Sequence, residues 1–215
     1  MKKILITTAV MALMANLSFS QNLTTSSPGQ PLRVNNKDIS VGTPYFNPDF
    51  VPSTVQTTAK KDFKLKALRY NVYLQQLEYL DNDRVYTVQD SIAAFTIADS
   101  TGKDQTFIKS NVNNKNIFLQ EVVTGKAELL KLYTAKPSTS EDWYTKKKTK
   151  TIVHTVKYYS RKDGVTKEIT KSQKDLLTLF SDKQEAVKSY LAKSNTDLKS
   201  ETDLTALFSY YNSLN

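Results

Sequence analysis

From about Gly42 to Ile169 the chain reads as short runs of alternating apolar and polar residues, rich in Tyr, Val, Phe, Ile and Thr and separated by Asp, Asn, Gly and Lys. A period of two sends one set of side chains to a buried face and the other to water, the signature of half-buried strands. The pattern predicts strands at 54–58, 63–73, 76–80, 84–88, 93–98, 105–109, 117–124, 127–135, 153–160 and 165–169. Between them, Asp81-Asn82-Asp83, Asp99-Ser100-Thr101-Gly102, Thr124-Gly125-Lys126 and Arg161-Lys162-Asp163-Gly164 supply residues that tolerate the positive φ of tight hairpin turns. Connections this short imply antiparallel neighbours, because a parallel crossover takes a dozen or more residues. The expected domain is an antiparallel meander over 42–170, bent into a sandwich or partial barrel.

Two stretches break the alternation. Residues 137–150, with Pro, Ser, Thr and acids running into a lysine cluster, read as a long basic loop. From Ser172 the period turns helical: Leu176, Leu177 and Phe180, then Ala186, Val187, Tyr190 and Leu191, then Leu204, Leu207, Phe208 and Tyr211. Ser172 with Asp175 and Ser200 with Asp203 place a hydroxyl at the helix N-cap and an acid three residues on. Isolated helices this short are marginal in water, so the three predicted over 171–215 must bury their apolar faces against each other or the sheet. The fold class is therefore α+β and β-dominated, with a helical tail packed on the β-domain.

The first twenty residues follow a different order. Lys2 and Lys3 form a charged start, residues 4–17 an apolar stretch, and Ser18-Phe19-Ser20 a small-residue cleavage point, the layout of an export signal that leaves Gln21 as the new terminus. The apolar run falls short of the roughly 20 residues a membrane-crossing helix needs. Gln21, where a lipoprotein would carry cysteine, argues against acylation. Residues 21–41 are polar, rich in Thr, Ser, Asn and Pro, and read as a flexible tether. An outer-membrane barrel is disfavoured, because the strands at 63–73 and 153–160 mix Lys or Arg with their apolar residues and the chain ends in helices.

Composition narrows the chemistry. There is no cysteine, which excludes disulfides, thiol catalysis and cysteine-ligated metals. His154, the single histidine, lies in a predicted strand, where a structural or exposed role is expected. One histidine builds no multi-histidine metal site, and no G-x-S-x-G elbow locates a serine nucleophile. Glu141-Asp142 beside Trp143 superficially offers an acid pair with a sugar-stacking ring, yet glycoside hydrolysis needs two carboxylates held across a cleft. Asp81, Asn82 and Asp83 lack the ligand spacing of a calcium loop and read as turn chemistry. Five glycines leave little material for a phosphate-binding loop. No catalytic residue, metal or cofactor is expected.

The charge is more informative. Loss of the signal with Lys2 and Lys3 takes the formal charge from +9 to +7, and from Lys171 onward six lysines match six acids, so the surplus belongs to 21–170. Lys146, Lys147, Lys148 and Lys150, with Lys60 and Lys61 at a predicted turn, make a candidate patch for polyanions. Lysine rather than arginine, with only Trp143 and Tyr144 nearby, is a weak footprint for specific nucleic-acid binding. Tyr70, Tyr73, Tyr79 and Tyr86 cluster in the first hairpins, and Tyr158 and Tyr159 follow later. Packing as cross-strand ladders is their default role, and a carbohydrate- or peptide-binding face is the alternative.

Leu68-Arg69-Tyr70-Asn71-Val72-Tyr73, and the tail from Lys174-Asp175-Leu176-Leu177 through Phe180-Ser181-Asp182-Lys183 to Tyr210-Tyr211-Asn212-Ser213-Leu214, resemble a family of uncharacterised secreted proteins of Bacteroidota-type Gram-negative bacteria. The resemblance spans roughly 42–214, rests on structural motifs and carries over no active residue. It implies a periplasmic, outer-membrane-associated or extracellular location. Asp90-Ser91-Ile92 matches the short O-glycosylation acceptor pattern of such bacteria. The function expected is a non-enzymatic, envelope-associated binding or interaction module whose partner is an envelope protein or surface polymer. A carrier of a small ligand or glycan, and a hydrolase of envelope polymers, are the alternatives.

Overall fold

The computed structural model describes residues 41–89, 91–170 and 172–214. The signal, the tether up to residue 40 and Asp90 of the acceptor pattern lie outside the described residues. Ten strands form in the order β1 (Val51–Thr57), β2 (Asp62–Asn71), β3 (Gln76–Asp81), β4 (Arg84–Thr87), β5 (Ile92–Ala98), β6 (Asp104–Val112), β7 (Lys115–Val123), β8 (Ala127–Glu141), β9 (Lys148–Lys162) and β10 (Val165–Glu168). They make one open antiparallel sheet, followed by α1 (Gln173–Leu179), a 3-10 turn at Ser181–Lys183, α2 (Gln184–Ser194) and α3 (Glu201–Ser213). Positive φ at Asn82 and Asp83, and at Asp163 and Gly164, bears out two of the expected tight turns. Another tight turn, not among those expected, joins β6 to β7 at Asn113-Asn114 with φ of 51° and 62°.

The strand order is β10-β9-β8-β7-β6-β5-β1-β2-β3-β4, so β1 lies between β5 and β2 and the meander runs in two wings from it. That order dictates curvature. In a flat sheet β4 and β5 would lie about 19 Å apart, four strand spacings. The five residue steps from Thr87 to Ile92 reach at most about 18 Å, so the sheet must coil. With about 20–25° of twist per neighbouring pair, the four steps from β2 to β7 rotate one strand by about 80–100° relative to the other. The β1–β3 wing thereby folds across the β5–β9 wing, with Val55, Leu68, Tyr70, Phe95, Phe107 and Phe118 buried between them. Phe95 stacks on Phe107 at 4.9 Å, and Tyr70 meets Phe107 and Phe118 edge-on at 5.3 and 6.0 Å.

One side chain seals this fold-over. Gln75 sits in the β2–β3 turn with φ of 55°, and its amide makes four hydrogen bonds. Nε2 donates to the carbonyls of Val72 (2.8 Å) and Tyr133 (3.1 Å), while Oε1 accepts from the Tyr70 hydroxyl (2.8 Å) and the Phe118 N–H (3.3 Å). The paired residues of β7 and β8 run from Val123↔Leu129 to Gln120↔Lys131. Beyond them the two strands splay, and Gln75 bridges the gap between Phe118 and Tyr133.

The same splay explains a correction to the expected loop at 137–150. β8 continues to Glu141 and β9 starts at Lys148, in register to the pair Glu141↔Lys148, so only residues 142–147 form the turn. Tyr133, Ala135 and Ile152 still pack on the fold-over core, but from Lys136 to Glu141 β8 is exposed and has no layer to pack on, so that stretch shows no apolar face. Pro137, which lacks an N–H, is tolerated in a strand with a free edge.

The tail docks on the lower ends of β7 and β8. Leu176, Phe180, Val187, Leu204, Leu207, Phe208 and Tyr211 bury against Val123, Ala127, Leu129 and Tyr158. Ser172 and Ser200 cap α1 and α3 by accepting from the N–H groups of Asp175 and Asp203, as expected. Asn212 clamps the β7–β8 turn, accepting from Ala127 N–H (2.9 Å) and donating to the Ala127 (2.8 Å) and Thr124 (3.3 Å) carbonyls. Gly125 makes the clamp possible: its φ is +145°, and a Cβ there would lie 2.5 Å from Asn212 Nδ2. Asp182 adds an electrostatic pin, taking Lys126 at 2.7 Å, Lys162 at 2.6 Å and the Tyr211 hydroxyl at 2.9 Å. These donors, led by Lys126, hold its carboxyl well below the usual range.

Three outcomes follow. Gln75→Ala strands the buried Tyr70 hydroxyl and the Phe118 N–H, and should cost about 2–4 kcal/mol, lowering Tm by roughly 5–15 °C; an unchanged melting curve would refute the seal. Gly125→Ala should loosen the tail, read as earlier proteolytic cleavage within 172–214 while the sheet persists. Asp182, with a folded pKa depressed below its unfolded value near ~3.9, contributes fully above that pH and loses its contribution as pH falls towards its lower folded value. The hydrogen-exchange protection factors of the α1–α2 segment should therefore fall below about pH 4, and Asp182→Asn should flatten this dependence; superimposable profiles would contradict the pin.

Candidate functional site

The structure brings the four lysines of the expected basic patch together. Lys146 and Lys147 lie in the tip turn, and Lys148 and Lys150 on β9 beside it. Asp142 organises this turn: its carboxylate accepts from Tyr144 N–H (3.0 Å), Thr145 N–H (2.6 Å) and the Thr145 hydroxyl (2.8 Å). Those bonds, Thr145 N–H foremost, hold Asp142 below the usual carboxylate range and keep it ionised. With Asp142 so occupied, Trp143 and Tyr144 project outward at 82% and 79% exposure, their rings 5.7 Å apart and near perpendicular. Glu141 faces Lys146 and Lys148, each at 3.8 Å. Lys60 and Lys61 belong to the β1–β2 turn, and β5, β6 and β7 separate β1 from β8 in the sheet, so they sit on a different hairpin.

The four tyrosines do not form one face. Tyr70 is fully buried in the fold-over core, which corrects its place in a candidate aromatic surface: its ring lies on the side of β2 that meets β6 and β7. Tyr79 and Tyr86 are directly opposite across β3 and β4 and stack at 5.5 Å, the cross-strand ladder expected of alternate tyrosines. Tyr73 is exposed beside Leu74 in the β2–β3 turn. His154 is exposed on β9, its Nε2 2.6 Å from the Thr43 carbonyl. Asp81, Asn82 and Asp83 make the β3–β4 turn. Among the described residues no cluster of three or more His, Cys, Asp or Glu is placed to hold a metal ion.

A polar constellation that sequence reasoning missed lies between the fold-over core and the core under the helical tail. Phe95, Phe107, Gln120, Lys131 and Tyr158 are successive direct partners across β5 to β9, a row that turns from aromatic to polar at Gln120. Glu201, in the first turn of α3, takes Lys131 Nζ at 2.6 Å and the Tyr158 hydroxyl at 2.5 Å. Burial lowers the lysine's pKa, but the Glu201 and Tyr133 contacts outweigh it and leave Lys131 above its ordinary value. Burial, reinforced by Glu201, pushes Tyr158 up. A groove of about 650 Å³ opens over this row, lined among others by Gln105, Gln120, Lys131, Tyr133, Glu201 and Thr205. The sequence did carry a signal: Lys131 and Gln120 occupy inward positions of the alternations Leu129-Lys131-Tyr133 and Phe118-Gln120-Val122, where apolar residues belong.

A second network joins Arg69 and Glu78, direct partners on β2 and β3. Glu78 is fully buried and receives Arg69 (2.7 Å) and Asn71 (3.1 Å), while the guanidinium lies 3.6 Å from the Tyr45 ring centre and 4.2 Å from that of Phe50. This sandwiched pair fastens the segment before β1 to the β2–β3 hairpin, a structural task.

No helix among the described residues is long and apolar enough to cross a membrane. No protein-family model, curated protein or solved structure matches the chain.

Proposed function

We propose that the protein is an exported, non-enzymatic binding module of the cell envelope that docks on an anionic lipid surface through the tip of the β8–β9 arm. The observation that carries this reading is the exposed Trp143–Tyr144 pair set among Lys146, Lys147, Lys148 and Lys150 at the end of a two-stranded arm. Amphipathic aromatic rings favour the headgroup level of a bilayer, and each lysine near an anionic surface contributes about 1 kcal/mol. The two demands are met in one turn. Asp142 spends its acceptors on the turn backbone, so the tip is pre-shaped and little ordering cost remains on docking. The arm pairs along its length with itself, so the tip stands clear of the core. The export signal at the start of the chain supports an envelope setting.

Trp143 is the single tryptophan of the chain and reports directly on the tip. Its emission should shift to the blue on vesicles of phosphatidylcholine and phosphatidylglycerol at 3:1, and the protein should sediment with them. Replacing Lys146, Lys147, Lys148 and Lys150 by serine should weaken binding by at least about 30-fold, and raising the salt to about 1 M should release the protein. An unshifted emission on these vesicles, or an equal response on pure phosphatidylcholine, would refute the reading.

A further inference from the structure

The lysines of the arm belong to a larger asymmetry of charge. The registers of neighbouring strands align Thr57, Ile92, Ser110, Ile117, Thr134 and Thr155 as one row across the sheet from β1 to β9. On and beyond this row, on the side where the arm leaves, lie the β1–β2 turn, the β6–β7 turn and the arm itself. Among the described residues this margin holds Lys60, Lys61, Lys115, Lys136 and the four lysines of the tip, all exposed, against only Glu141 and Asp142. The other described residues balance, with seventeen basic side chains against seventeen acidic. The whole net charge of the described chain, +6, therefore sits on one margin of the sheet. The helical tail docks at the opposite margin, around the β7–β8 turn that Asn212 clamps, and residues 172–214 carry five lysines against six acids.

Charge gathered at one margin orients a molecule in the field of a charged surface, because that margin is attracted while the balanced remainder is not. The separation of the lysines decides how they act. Lys60 and Lys61 lie four strand spacings from β8, about 19 Å, which is more than twice the Debye length of about 8 Å at physiological salt. At that distance they cannot reinforce the tip through solvent and count only where they meet the surface themselves. Twist fans the margin through about 80–100° between β8 and β1. A single contact at the tip would leave the domain free to swing on its arm, and a second on the far side of the fan fixes it. Every basic residue of the margin is a lysine, a point charge on a flexible stem, which suits a diffuse anionic surface better than the planar, paired recognition that arginine gives. We infer that the domain margin carrying Lys60, Lys61 and Lys115 makes a second contact with the anionic lipid surface met by the tip, and that the helical tail faces away from it. The inference rests on the lipid-docking reading of the arm and adds to it a second site and an orientation.

The chain has no cysteine, so one fluorophore can be placed by Ala59→Cys in the β1–β2 turn or by Ala192→Cys on α2, both exposed positions. On the mixed phosphatidylcholine and phosphatidylglycerol vesicles, the label at position 59 should become less accessible to quenching by acrylamide, and the label at position 192 should not change. Replacing Lys60, Lys61 and Lys115 by serine should weaken vesicle binding at least about tenfold, while Trp143 keeps its blue shift at saturation and the melting curve is unaltered. A blue-shifted Trp143 with unchanged quenching at position 59, or a triple variant that binds as tightly as the unaltered chain, would overturn the second contact and leave docking by the tip standing. Protection at position 192 would overturn the orientation. Protection at position 59 with an unshifted Trp143 would refute the tip and bear out the margin, and no change in either signal would refute both.

Discussion

A sheet that coils back over itself must solve one problem at the place where its wings meet: strands that splay leave backbone groups with no partner. Buried and unpaired, each such group costs as much as a lost hydrogen bond. Gln75 resolves this with the only kind of side chain suited to it, a primary amide that donates twice and accepts twice. It satisfies β7 and β8 where they part and holds the Tyr70 hydroxyl, so the edge of one wing is fastened to the middle of the other. The stacked rings of Phe95 and Phe107 then have a lid, and the β8–β9 ribbon is free to leave the domain.

The strands were legible wherever one face was apolar and the other wet, because burial on one side imposes the alternation. Near 84–87 and 165–168 short edges still declared themselves through Asn, Asp and Gly turns. The tip half of β8 and β9 was not legible for the complementary reason: a ribbon exposed on both faces needs no apolar stripe, and Ser, Thr and Lys satisfy it. Nor could the sequence show that β1 lies between β5 and β2, since the pairing partner of a strand is set by coiling across distant residues. Tyr70 shows a related limit. Its spacing from Tyr73 and Tyr79 says nothing about which strand face meets the opposite wing.

The candidate sites divided along the same line. The lysine patch was readable because its members are neighbours in sequence and stay neighbours at a turn. The groove was not, since Asp99, Gln120, Lys131 and Glu201 come from four separate elements and converge only after the tail has docked. Tail and groove are therefore one construction. The contacts from Asp182, Asn212 and Glu201 that hold the helices down also place Glu201 opposite Lys131 and so form one wall of the hollow.

The ribbon has a consequence for how the molecule can change over time. Residues 138–149 rely on cross-strand hydrogen bonds and the Asp142 turn, and none of them belongs to an apolar core. Replacements at the tip therefore leave the stability of the domain almost untouched, whereas those at Gln75 or Gly125 do not. With the tip as the proposed docking surface, docking and foldedness would be governed by different stretches of the chain, so selection could rewrite what the tip meets without first having to rescue the fold that carries it.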